Sequence, residues 1–85
     1  MVEKDNFKKS SYDILVILKN NDITGVLNAV TITYLAEKVE YSRGTILSEL
    51  KKMILQGYVE KGLRQGKGFT YYITAVGLEK LKEFE

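Results

Sequence analysis

The 85-residue chain contains no cysteine, no histidine and no proline. Without cysteine no disulfide can close a loop. A domain this small buries roughly 60–65% of the surface its unfolded chain exposes, so it must fold without covalent staples on a thin margin. Without cysteine or histidine, only carboxylates remain as zinc ligands. The same absence removes thiol nucleophiles and imidazole bases, the commonest groups of enzyme chemistry. Asp13, Asp22 and Glu37 are available carboxylates, but no constellation groups them, and residues 65–68, Gln-Gly-Lys-Gly, are too short for a phosphate-cradling loop. The expectation is a protein that is not an enzyme and holds no metal or cofactor. No apolar run approaches the ~18 residues of a membrane span. The longest, residues 14–18, is also too short for a signal-peptide core. With no low-complexity segment and no internal repeat, nothing marks a linker. We therefore expect a cytoplasmic protein with a flexible segment over residues 1–9 and one domain over 10–85.

What is present is an uneven charge. The formal net charge is +2, with 13 cations and 11 anions. Residues 42–68 hold Arg43, Lys51, Lys52, Lys61, Arg64 and Lys67 against only Glu49 and Glu60. A basic segment on a near-neutral body is the footprint of a polyanion binder.

The densest signal lies within that segment, at residues 42–57. Ser42 is a suitable helix N-cap and Gly57 a suitable left-handed stop. Ile46, Leu50, Met53 and Ile54 form an apolar stripe at helical period between them. The other side carries Arg43, Thr45, Ser48, Lys51, Lys52 and Gln56, a cationic, hydroxyl-rich face suited to phosphates and base edges. The plain alternative is a solvated surface helix. Leu47, Ile54 and Leu55 widen the apolar face beyond a single stripe, for packing on the first helix or for a subunit contact.

Upstream, Ser10 and Asp13 have the spacing of a capping box for a helix over about 11–20. Residues 14–18 make that helix apolar on most sides, which implies a partner subunit over part of it. A loop and a short strand at Ala29 and Val30 follow. Thr31 or Thr33 then caps a helix over about 32–39, with Leu35, Ala36 and Val39 on its core side. A tight connection leads into the helix over 43–56, which is helix-turn-helix spacing. After Gly57 the period changes to 2. Residues 58–63 and 69–74 read as a hairpin with a flexible basic tip at 64–68. Phe69, Tyr71 and Ile73 are expected to face inward. Thr74 caps a last helix over 75–84, with Leu78, Leu81 and Phe84 as its ridge. Phe7 is expected under the domain or against a second subunit.

This order, α+β with a basic hairpin after a helix-turn-helix, is that of a winged helix-turn-helix domain. Three stretches resemble the winged-helix regulators of bacteria and archaea, such as the MarR-like and PadR-like groups. They are Thr33-Tyr-Leu-Ala-Glu-Lys-Val39 running into Tyr41-Ser-Arg-Gly-Thr-Ile46, then Leu50-Lys-Lys-Met-Ile-Leu-Gln-Gly-Tyr-Val-Glu60, and Tyr71-Tyr-Ile-Thr-Ala-Val-Gly-Leu78. The long flanking helices with which MarR-like proteins dimerise have no counterpart here. The short chain, the Asn-rich stretch before the helix-turn-helix and the wing followed by a single helix also resemble TubR proteins. Those are plasmid and phage partition factors that bind centromere repeats and recruit a tubulin-like filament.

The resemblance implies sequence-preferring binding of double-stranded DNA as a homodimer, as a transcriptional regulator or as a TubR-like partition adaptor. A winged helix used for protein–protein contact is the alternative. The helix at 42–56 would enter the major groove, bringing Ser42, Arg43, Gly44, Thr45 and Ser48 closest. Arg43 suits a bidentate pair with guanine, or else a phosphate. Gly44 would allow close backbone approach. Lys51 and Lys52 would meet phosphates, and Arg64 and Lys67 on the wing would meet the minor groove or the backbone. Tyr34 and Tyr41 have hydroxyls that suit phosphates too.

Overall fold

The computed structural model of the chain describes residues 7–84. Of the N-terminal segment expected to be loose, residues 1–6 lie outside this range. The first helix, α1 (Lys9–Asn20), starts before Ser10, and no side chain caps it. The Ser10–Asp13 box does not form, because Lys8 holds the N-cap position and Ser10 already lies inside the helix; Asp13 is engaged elsewhere. Its carboxylate accepts from the Tyr41 hydroxyl at 2.7 Å and pairs with Lys9 Nζ at 3.1 Å. Ile14, Leu15 and Leu18 are fully buried by the chain's own core, whereas Val16 and Ile17 are half-buried. The helix ends as the Asn-rich sequence predicts. Asn21 Nδ2 donates to the Ile17 carbonyl at 2.8 Å, and Asp22 adopts φ 56°, a left-handed turn that Asp tolerates.

The loop that follows contains a 3₁₀ turn, Val26–Asn28, and Val30 forms a single antiparallel bridge with Tyr71. The expected strand at 29–30 is reduced to that bridge. In α2 (Ile32–Lys38) the cap is Thr31, whose hydroxyl accepts from the Tyr34 N–H at 3.2 Å. Helix α3 (Arg43–Gln56) has the expected ends: Ser42 Oγ accepts from the Thr45 N–H, and Gly57 has φ 84°. Its core side is Ile46, Leu50 and Met53, each 0% exposed, together with Glu49.

The hairpin β1 (Val59–Gln65) and β2 (Gly68–Ile73) is longer than the sequence predicts. Pairing runs out to Gln65 opposite Gly68, so only Gly66 and Lys67 form the turn, with Gly66 at φ 63°. The expected five-residue flexible tip is therefore mostly paired strand. A bulge interrupts the register between Lys61 and Arg64. The inward set also differs. Tyr71 and Ile73 are buried, but Phe69 is 39% exposed and Thr70 is buried. The base of β2 is covered on both faces. Helices lie on one, and Val26 and Ala29 lie on the other, close to Gly62 and Thr70. Phe69 stands beyond the edge of the core.

Thr74 caps α4 (Ala75–Lys82) through the Gly77 N–H. Leu81 is buried, but the helix stops short of Phe84. That ring packs outside it against Phe7 and Tyr12, each at 5.3 Å between centroids. The helices and hairpin share one core, centred on Ile14, Leu15, Leu18, Leu35, Ile46, Leu50, Met53 and Ile73. Full burial of such side chains contributes about 1.5–3 kcal/mol each. This is a winged helix-turn-helix: α2 and α3 form the motif, and the β1–β2 hairpin is the wing.

Candidate nucleic-acid interface

Two features aim the first turn of α3. Ser42 satisfies one free N–H at the helix start, and its hydroxyl also donates to Thr45 Oγ1 at 3.1 Å. The helix dipole then leaves this end partially positive, an environment that favours an anion. Ser42, Arg43, Gly44, Thr45 and Ser48 are all exposed. Arg43 is not free: its Nη1 donates to Thr33 Oγ1 at 2.7 Å, which binds α3 to the first turn of α2. Gly44 has no internal reason to be glycine. A Cβ there would meet nothing nearer than Ser42 Oγ at 3.9 Å.

The wing comes to the same flank. Arg43, Thr31, Ile32 and Thr33 line a depression of about 170 Å³ together with Gln65, Gly68 and Phe69. The start of α3 and the wing thus face one opening. Arg64 stands exposed on β1, and Lys67 is exposed at the turn. A second shallow groove of about 350 Å³ runs along α3, lined by Gly44, Leu47, Ser48, Lys51, Lys52 and Leu55.

Several residues depart from the sequence reading. Lys51 is exposed, but Lys52 is half-buried, with Nζ 3.8 Å from Glu49 Oε2. Glu49 is itself 4% exposed and accepts from the buried Ser11 hydroxyl at 2.6 Å. Counted from sequence only as part of the net charge, it is a core anchor between α1 and α3. The Tyr41 hydroxyl donates to Asp13 rather than pointing to an external phosphate. That bond, with Lys9 beside it, holds the Asp13 carboxyl below its usual range and raises the Tyr41 phenol. Tyr34 is half-buried, with Lys38 Nζ 5.2 Å from its ring centroid.

Sequence reasoning missed Thr33, Lys61 and Phe69. Thr33 was legible only as a possible cap. Lys61 registered only as part of the net charge. Phe69 was assigned to the core by simple alternation. Among the described residues no helix is long and apolar enough to cross a membrane.

No family model matches the chain. It is, however, 40% identical over 74 residues to the DNA-binding protein TubR of a Clostridium botulinum C phage, a match covering 87% of this chain and 91% of that protein. The solution structure of a DNA-binding TubR fragment from Clostridium botulinum is similar across 100% of both chains, at 36% identity and a TM-score of 0.73. TubR from Bacillus megaterium shares the fold at a TM-score of 0.81 and 22% identity, over 93% of this chain and 87% of that one. By its identity and coverage against the phage protein, and by the wing-bearing fold they share, this chain belongs to the TubR family.

Proposed function

We propose that the chain binds double-stranded DNA with sequence preference, placing the first turn of α3 in the major groove and the wing on the minor groove or backbone. The observation that carries this is the shared opening: Arg43 at the start of α3 and Gln65 and Gly68 of the wing line one depression. Ser42, Arg43, Gly44, Thr45 and Ser48 form the groove-facing set. Lys51, Arg64 and Lys67 supply phosphate contacts, and Lys52 joins them only by leaving Glu49. The name of the 40% identical phage relative, a DNA-binding protein, supports the same reading.

The role we assign is that of a cytoplasmic partition adaptor on plasmid or phage DNA, which binds repeated centromere sites and joins them to a tubulin-like filament. It is a binding protein of residues 10–85, without catalytic chemistry or cofactor. A repressor-type regulator would use the same surface. The protein acts as a homodimer, and we assign the contact to the C-terminal end of α3, around Leu55, which leaves its first turn to the duplex. Leu55 is 88% exposed on α3, in line with the half-buried Leu47, whereas Ile14, Leu15 and Leu18 of α1 are already covered.

Fluorescence anisotropy with a labelled duplex, titrated with salt, tests the DNA reading. Affinity should fall as log[salt] rises, with a slope of about 0.9 per phosphate neutralised. A flat salt response, or absence of binding at low salt, contradicts it. Co-sedimentation of the DNA complex with a tubulin-like filament protein separates adaptor from regulator.

A further inference from the structure

The bulge in β1 has a chemical consequence. In a regular strand, side chains at 61 and 64 would point to opposite faces. The extra residue between them returns both to one face: Lys61 stands opposite Tyr71, and Arg64 opposite Phe69. The Phe69 ring then carries both cations. Lys61 Nζ lies 4.3 Å from its centroid and Arg64 Cζ 5.4 Å, both inside cation–π range. Among the described residues, neither cation has a carboxylate within ion-pair distance. The bulge is itself locked. A Cβ on Gly62 would come within 2.6 Å of Ala29 Cβ and 2.7 Å of Thr70 Oγ1. The Thr70 hydroxyl also donates to the Leu63 carbonyl at 2.6 Å. Phe69 itself is 39% exposed and lines the depression shared with Arg43.

We infer that Phe69 is a positioning residue of the wing, holding both Lys61 and Arg64 against its ring for the phosphates that flank the groove entered by α3. This rests on the DNA-binding reading above and adds two residues to it: Lys61 as a phosphate contact and Phe69 as its support. Two cations held against one ring, without a carboxylate partner among the described residues, are left to be neutralised by an external anion. A duplex backbone presents such anions at regular spacing.

The test is the salt dependence of binding to a labelled mixed-sequence duplex, since the phosphate term does not depend on base sequence. Phe69→Ala should weaken binding about tenfold at low salt and lower the salt slope by about 0.9–1.8, the loss of one or two phosphates. Phe69→Trp should keep the wild-type slope, because Trp is the best cation–π partner, and Phe69→Leu should behave like Ala. In a Lys61→Ala/Arg64→Ala background, Phe69→Ala should cost nothing further, which a merely structural role would not produce. The chain has no native tryptophan, so emission of the Phe69→Trp variant reports this one position and should shift when duplex is added. The inference is overturned if wild type binds but Phe69→Ala keeps its slope, or if Leu rescues as well as Trp. If wild type itself binds no duplex, the DNA reading fails, and this inference with it.

Discussion

Arg43 Nη1 donates to Thr33 Oγ1 at 2.7 Å, so the first turns of the two motif helices are joined by the side chain we assign to DNA. The threonine fixes where the guanidinium points before any duplex arrives. Preorganisation of this kind reduces the ordering cost of binding. Thr33→Val keeps the shape and removes the acceptor. Stability should change by less than about 0.5 kcal/mol, because Thr33 is exposed. Affinity for the preferred DNA should fall about 3–10-fold, of the order of one ordinary hydrogen bond. Anisotropy titrations alongside thermal melts measure both.

Two glycines should respond in opposite ways to alanine. At Gly77 an added Cβ would run into the Tyr58 carbonyl and lie 2.7 Å from Ile73 Cγ1. Gly77→Ala should therefore destabilise by about 1–3 kcal/mol or more through overpacking. At Gly44 the space is open. Gly44→Ala should stabilise α3 by about 0.5–1 kcal/mol and yet weaken DNA binding if the backbone approaches the duplex closely. Urea unfolding ranks the two variants, and a Gly44→Ala variant that is more stable and equally tight would remove Gly44 from the interface.

The Ser11–Glu49 pair is a buried polar tie between α1 and α3. Ser11→Ala strips the carboxylate of its hydroxyl donor and should cost about 1–3 kcal/mol. Replacing both partners, as Ser11→Ala with Glu49→Met, should recover much of that loss, because no charge is then left buried. Urea midpoints of the two singles and the double give the coupling directly.

The Lys9–Asp13–Tyr41 group gives a pH signature. The Tyr41 hydroxyl, first, and then Lys9 hold the Asp13 carboxyl below the ordinary value of about 3.9. A depressed folded-state value stabilises above the unfolded pKa, and the gain is lost as pH falls through the folded one. The Tyr41 phenol is raised by the same bond, so its contribution holds below about pH 10 and fades above. Wild type should thus melt higher than Tyr41→Phe near neutrality. The gap should close below about pH 4 and again above about pH 10. A gap that stays constant across that range would mean the bond contributes nothing.

What the sequence made legible was chemistry held within a few residues. Ser42, Thr74 and Gly57 act where they were read to act, because a cap needs only its own turn. The core stripe of α3 was equally plain at period 3.6. What stayed hidden depends on partners far along the chain. Glu49 entered only the charge count, because its buried partner Ser11 lies 38 residues before it. Ser10 and Asp13 have capping-box spacing, but the helix starts upstream at Lys9, and the carboxylate serves Tyr41, 28 residues later. Phe69 was turned inward on paper because alternation carries no sign of a bulge or of a 3₁₀ turn covering the other face. The residues we assign to the interface on α3 were chosen from sequence alone, and the fold leaves Ser42, Arg43, Gly44, Thr45 and Ser48 exposed. Their shared opening with the wing was not legible there, since it depends on how a hairpin leans.

The central claim is that α3 and the wing bind one duplex together. It is tested most directly by measuring the duplex Kd of Arg43→Ala/Lys67→Ala against wild type at one fixed salt concentration, with melting temperatures of both recorded. Arg43 reading a base is worth about 1–3 kcal/mol and Lys67 about one phosphate, so the double variant should bind about 10–100-fold more weakly while remaining folded. A folded double variant that binds duplex as tightly as wild type would contradict the account.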